Sequence, residues 1–136
     1  MNSDHRSSRA RSLTGTIMIY LPGIALFLSS ILKLAHIPGV VEEMARAGFA
    51  GEKLILVASL EMLSACLFLY PRTRSFGVLF LSSFLGGAIC THVQMGEFAK
   101  VVPPAILLTL AWSGMYLRSA ELLWKPTGTH LPAPTP

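Results

Sequence analysis

The sequence predicts an all-α fold: a transmembrane four-helix bundle with a short amphipathic helix in its first outer loop. Three observations predict it. Four apolar runs, 13–35, 54–70, 76–93 and 104–124, fill most of the 136 residues. Each approaches the ~17–25 residues a helix needs to cross the hydrocarbon layer, and helices apolar all round need lipid or a very large core. The chain is 52% hydrophobic and only 13% charged, which leaves room for one bundle and no separate soluble domain. The basic residues are also sorted by side. Arg6, Arg9, Arg11, Arg72, Arg74, Arg118 and Lys125 fall at one end of the four runs. At the other end Arg46, Lys53 and Lys100 are offset by Glu42, Glu43, Glu52 and Glu97. That is the positive-inside pattern, and it places both termini in the cytoplasm of a multi-pass protein of the bacterial inner membrane. The net charge of +4 is thus accounted for by topology, and no nucleic-acid partner is implied.

Taken in order, residues 1–12 are polar and expected to be disordered. The first run is longer than a signal-peptide core and no A-x-A site follows, so it reads as a retained span. Pro22-Gly23 inside it permits a kink. The following loop places Val40, Val41, Met44 and Ala47 at helical spacing, with Glu42, Glu43 and Arg46 opposite and Gly48 as a stop. This is the amphipathic helix, a lid at the outer interface. The second run is the shortest and carries Glu61 in its middle. Pro71 to Arg74 forms a tight inner turn to the third run. There Ser83, Gly87 and Thr91, and Ser82, Gly86 and Cys90, form small-residue ridges suited to close helix packing. Pro103 and Pro104 suit the first turn of the fourth span. The bundle domain thus covers 13–125, and 126–136 is a Pro/Thr-rich tail.

Function is sought in polar groups at membrane depth. An ionised carboxylate near the bilayer centre costs ~2.5–3.5 kcal/mol, so Glu61 should face the bundle and find a partner. Lys33 and His36 end the first span, on one face if the helix persists that far. Thr91, His92 and Gln94 end the third. Alone, Lys33 reads as a snorkelling anchor and His36 as an interfacial histidine. Together Glu61, Lys33, His36, Thr91, His92 and Gln94 read as an outward-facing ligand pocket. The plainer reading is that Glu61 is a hydrogen-bonding residue that fixes helix register. Glu61 lies too deep to share a metal with the two histidines, and a haem lacks a deep histidine pair, so no metal site is assigned. Cys66 and Cys90 form no C-x-x-C, differ in depth, and should be unpaired and slow to react inside the bundle.

At these residues the chain resembles the DoxX-like family of small four-helix membrane proteins. The resemblance runs from Ile24 to Leu117. Its pieces are Lys33-Leu34, Gly48-Phe49, Glu61-Met62-Leu63-Ser64-Ala65, Leu69-Tyr70-Pro71-Arg72-Thr73-Arg74, and Gly87-Ala88-Ile89-Cys90-Thr91-His92. Ala58 and Ser64 stand where the family favours glycine. The family takes its name from a thiosulfate–quinone oxidoreductase subunit, and other members resemble stress-complex partners or assembly factors. The resemblance implies a non-autonomous subunit of a membrane redox or stress system, not catalytic on its own, with a quinone or small molecule in the pocket and a membrane or peripheral protein partner. A non-catalytic assembly factor or chaperone is the alternative. A proton-coupled carrier is weaker, because no internal repeat is evident. No catalytic residue is assigned.

Overall fold

The computed structural model describes residues 2–124, with side chains over residues 13–118. The described chain forms five α-helices: α1 (Asn2–Leu34), α2 (Pro38–Arg46), α3 (Glu52–Leu69), α4 (Arg74–Gln94) and α5 (Phe98–Trp124). Three of them contain segments long and apolar enough to cross a membrane: Leu13–Leu34, Arg74–Gln94 and Phe98–Arg118. α3 has 18 residues and includes Glu52, Lys53 and Glu61, so its composition alone does not mark it as a span.

Two boundaries differ from expectation. α1 continues back through the polar residues 2–12 instead of leaving them loose. Extending an existing helix avoids the nucleation cost, and this stretch contains no proline or glycine to stop it. α5 begins at Phe98, so Pro103 and Pro104 lie inside it and not in its first turn. The tail 126–136 falls outside the described residues.

The four long helices close into a ring in the order α1, α3, α4, α5, and α2 packs lightly on α1 and α3. All ring neighbours are antiparallel: Lys33–Glu61 with Gly23–Leu69 orients α1 against α3, Ile19–Gly114 with Thr16–Arg118 orients α1 against α5, and the short connections 70–73 and 95–97 orient α4 against α3 and α5. The half of the ring nearest the α3–α4 turn is filled by Ile19, Phe68, Val78, Leu81, Ala111 and Met115. Close approach here depends on glycines outside the expected ridges. A Cβ on Gly77 would strike the backbone of Leu67 and Phe68, and one on Gly114 would come within 2.9 Å of the Ile19 nitrogen. At Gly86 and Gly87, in the expected ridges, a Cβ would meet nothing within 4 Å.

The tight turn is also a helix cap. Arg74, read from sequence only as a positive-inside charge, is buried, and its guanidinium donates to the Phe68 and Leu69 carbonyls at 3.1 and 3.2 Å. Thr73 donates to the Leu67 carbonyl at 2.8 Å. The last carbonyls of α3 are thereby satisfied by a cation and a hydroxyl, which the helix dipole favours. At the same end of the ring, Arg118 donates to the Thr16 hydroxyl at 2.8 Å, tying α5 to α1.

Cys66 and Cys90 are free, but both lie on the outer surface of the ring and not inside it. The helix phase turns each away from the core positions Ala65, Phe68 and Leu85. Both should therefore alkylate with a lipid-soluble maleimide without denaturation. Mass spectrometry of the native protein in detergent should count two adducts, and fewer than two would contradict the exposed placement.

Candidate functional site: a cavity at the α2 end of the ring

The half of the ring toward α2 is hollow. A cavity of about 600 Å³ is walled by all four long helices and bounded by α2, and its lining is predominantly apolar. Leu26 and Leu85 close it against the core. Gly87 and Ala88 contribute space where larger residues would fill it.

The deepest polar contact is an ion pair. Lys33 reaches across from α1 to Glu61 on α3, with Nζ to Oε2 at 2.6 Å. The side chains are 13% and 4% exposed, so the pair is nearly sealed from water. Lys33 also donates to the Ser29 hydroxyl at 2.9 Å and lies 5.9 Å from the centre of the Phe84 ring. These contacts give the cation a hydrogen-bond acceptor on its own helix and a π-face across the ring, within the reach of a cation–π attraction. Lys33 is therefore turned inward and is not a snorkelling anchor. A charge pair of this kind offsets part of the cost of placing Glu61 at depth.

A second polar group rims the cavity. Lys100 at the start of α5 donates to Glu43 on α2 at 2.6 Å and to Glu97 at 3.0 Å, and Glu97 also meets His92 Nδ1 at 3.2 Å. Sequence reading counted Glu43, Glu97 and Lys100 only in the charge balance of the outer side and the polar face of the amphipathic helix. The Glu97–Lys100 spacing of three was the available signal. The Lys100 hydrogen bond is the main cause that holds both the Glu43 and Glu97 carboxyls below their ordinary value of 4.5. Lowered values mean that this tie is fully present above pH 4.5 and is lost as pH falls through the lowered values. Amide exchange over residues 40–47, corrected for its intrinsic pH dependence, should accelerate as pH falls below 4.5. Lys100→Met should already exchange fast at pH 7, and identical protection in both proteins would refute the tie.

Of the six residues read as a pocket, Lys33, Glu61, Thr91 and His92 line the cavity, whereas His36 and Gln94 are exposed and do not. His36 adopts φ 53, with its N–H on Lys33 O at 3.1 Å and the Ile37 N–H on Leu32 O at 3.3 Å. This is a Schellman cap, which ends the helix before the histidine can share the Lys33 face. Gly96 ends α4 in the same way, at φ 72. Gln94 lies on the outward stripe of α4. No group of three or more potential metal ligands occurs among the described residues, and no cysteine lines the cavity.

With this geometry in view, the sequence pattern that defines the DoxX-like family matches residues 15–114. The chain belongs to the DoxX-like family. The match covers most of the chain, including the whole cavity end of the ring. Together with the three apolar helices it identifies a membrane-embedded protein. Comparison of this DoxX-like chain with curated proteins finds no match, and comparison with solved structures finds none.

Proposed function

We propose that this DoxX-like protein is a four-span integral protein of the bacterial inner membrane whose cavity binds a neutral, mostly apolar molecule of the quinone class. In this reading α3 is the fourth span, both termini are cytoplasmic, α2 is an amphipathic roof on the outer side, and the protein is a non-catalytic subunit of a membrane redox or stress system. α3 is ~27 Å long at 1.5 Å per residue, close to the hydrocarbon thickness.

The observation that carries the proposal is the Lys33–Glu61 pair on the wall of an apolar cavity. Charge bears on the ligand class. The lining holds two lysines against three glutamates, with one histidine, so no excess positive charge draws in an anion. A neutral ligand with carbonyl oxygens suits the site. Two of the three Lys33 N–H groups serve Ser29 and Glu61, and the third can donate to such an oxygen. Glu61 supplies a carboxylate able to accept a hydrogen bond from a hydroxyl of the ligand's reduced, quinol form.

Binding of a short-tailed benzoquinone to protein in phosphatidylcholine vesicles tests this. Glu61→Gln keeps an oxygen facing Lys33 and should remain folded, yet weaken binding at least tenfold (about 1.4 kcal/mol). If the variant binds as wild type does, Glu61 fixes helix register only. Labelling of single cysteines in 40–47 from outside, and none in 71–73, tests the orientation.

A further inference from the structure

The cavity is not walled evenly. On α4, Ser83 and Gly87 share the outward stripe of Phe76 and Phe80, which are 68% and 47% exposed, yet Ser83 and Gly87 also line the cavity. On α3, Leu60 is 46% exposed and lines it too. Residues that face outward and also face the cavity mark the place where it reaches the outer surface. The spacing of α3 and α4 explains the opening. At the turn the two helices touch backbone to backbone at Gly77 and Phe68, whereas a Cβ on the cavity-lining Gly87 would meet nothing within 4 Å. The α3–α4 seam is closed at the turn and open at Gly87. Its gap lies within the apolar length of α4, so it faces hydrocarbon and not water.

We infer that the cavity opens sideways into the lipid layer between α3 and α4, across Gly87, and that its ligand is a long-tailed amphipathic molecule. The ligand's head rests at Lys33 and Glu61 while its hydrocarbon tail leaves through this gap. The inference rests on the proposed ligand site and adds the route and the tail. Val57, Leu60, Ser83 and Gly87 form the passage, and its threshold is the hydrogen atom of Gly87. A tail in the gap exchanges contacts with lipid for contacts with Leu60 and Val57, so the passage carries no sequence of polar steps.

The test uses Gly87→Phe, at a position where an added Cβ meets nothing within 4 Å, and Gly86→Phe as a control beside it that is equally open and does not line the cavity. Two probes are compared in phosphatidylcholine vesicles: a tail-less methoxy-benzoquinone and the same head with a ten-carbon tail. Gly87→Phe should weaken the tailed probe at least tenfold more than it weakens the tail-less probe, and Gly86→Phe should change neither. Undiminished binding of the tailed probe by Gly87→Phe overturns the passage. A second readout needs no quinone. Photoreactive benzoylphenylalanine at Leu107, on the α5 wall of the cavity, should form an adduct with a phospholipid chain in otherwise wild-type protein and lose it in Gly87→Phe. Absence of the adduct overturns the passage even if quinone binds. The adduct without quinone binding upholds the passage and overturns only the quinone reading.

Discussion

Glu61→Leu will destabilise the protein by about 3–5 kcal/mol, the usual cost of stripping one partner from a buried ion pair. By sequence alone the opposite is expected, because leucine is easier than glutamate to place at membrane depth. The structure reverses the sign. Lys33 is 13% exposed and 2.6 Å from Glu61, and a leucine in place of that carboxylate would leave the ammonium facing an apolar wall. Lys33→Met should cost a similar amount, by stranding the carboxylate. The double variant Lys33→Met with Glu61→Leu should recover most of the loss, since a well-packed apolar pair can equal a buried ion pair. Thermal unfolding in detergent of the four proteins gives the coupling directly. Additive single effects would mean that the two side chains do not depend on each other.

The second large effect is at glycine, and it separates two residues of one helix. Gly77→Ala should destabilise by about 3 kcal/mol, the upper end of overpacking costs, because its methyl group meets the backbone of Leu67 and Phe68. No rotamer change can relieve a clash with main chain. The α3–α4 turn would have to shift, and with it the Arg74 and Thr73 bonds that cap α3. Gly87→Ala has no such obstacle and should gain up to about 1 kcal/mol from helix propensity. Melting temperatures that move the same way for both variants would show that Gly77 and Gly87 do not differ in crowding as described.

The polar contacts give a physical reason why this fold can carry ionisable groups at depth. Each cation that lines the cavity is already matched: Lys33 by Glu61, and Lys100 by Glu43 and Glu97. The paired groups fix helix positions and still offer donors toward the space between them. The rim cluster is more exposed than the deep pair, with Lys100 at 40% and Glu43 at 47%, so solvent screens it and its contribution to stability is small. Its effect is positional, holding α2 against the start of α5.

The helical class, three of the four long apolar runs, the short helix after the first, the tight turn at 71–73 and the inward placement of Glu61 were all legible along the chain. They follow from run length, from 3.6-residue spacing and from the cost of charge in hydrocarbon, none of which depends on the partner helices. Helix phase and the turning of chain ends were settled only in three dimensions. His36 left the pocket because an αL cap rotates the backbone at that residue, and no pattern of neighbours announced it. Cys66 and Cys90 lie outside because a shift of one residue turns a side chain by about 100° around the helix axis. The ridges at Ser83 to Thr91 border a hollow, while single glycines at 77 and 114 carry the close packing. Small residues permit either outcome, and which one occurs depends on the partner helix. Lys100 joins Glu43 from 57 residues away, a separation that only the closing of the ring could bridge.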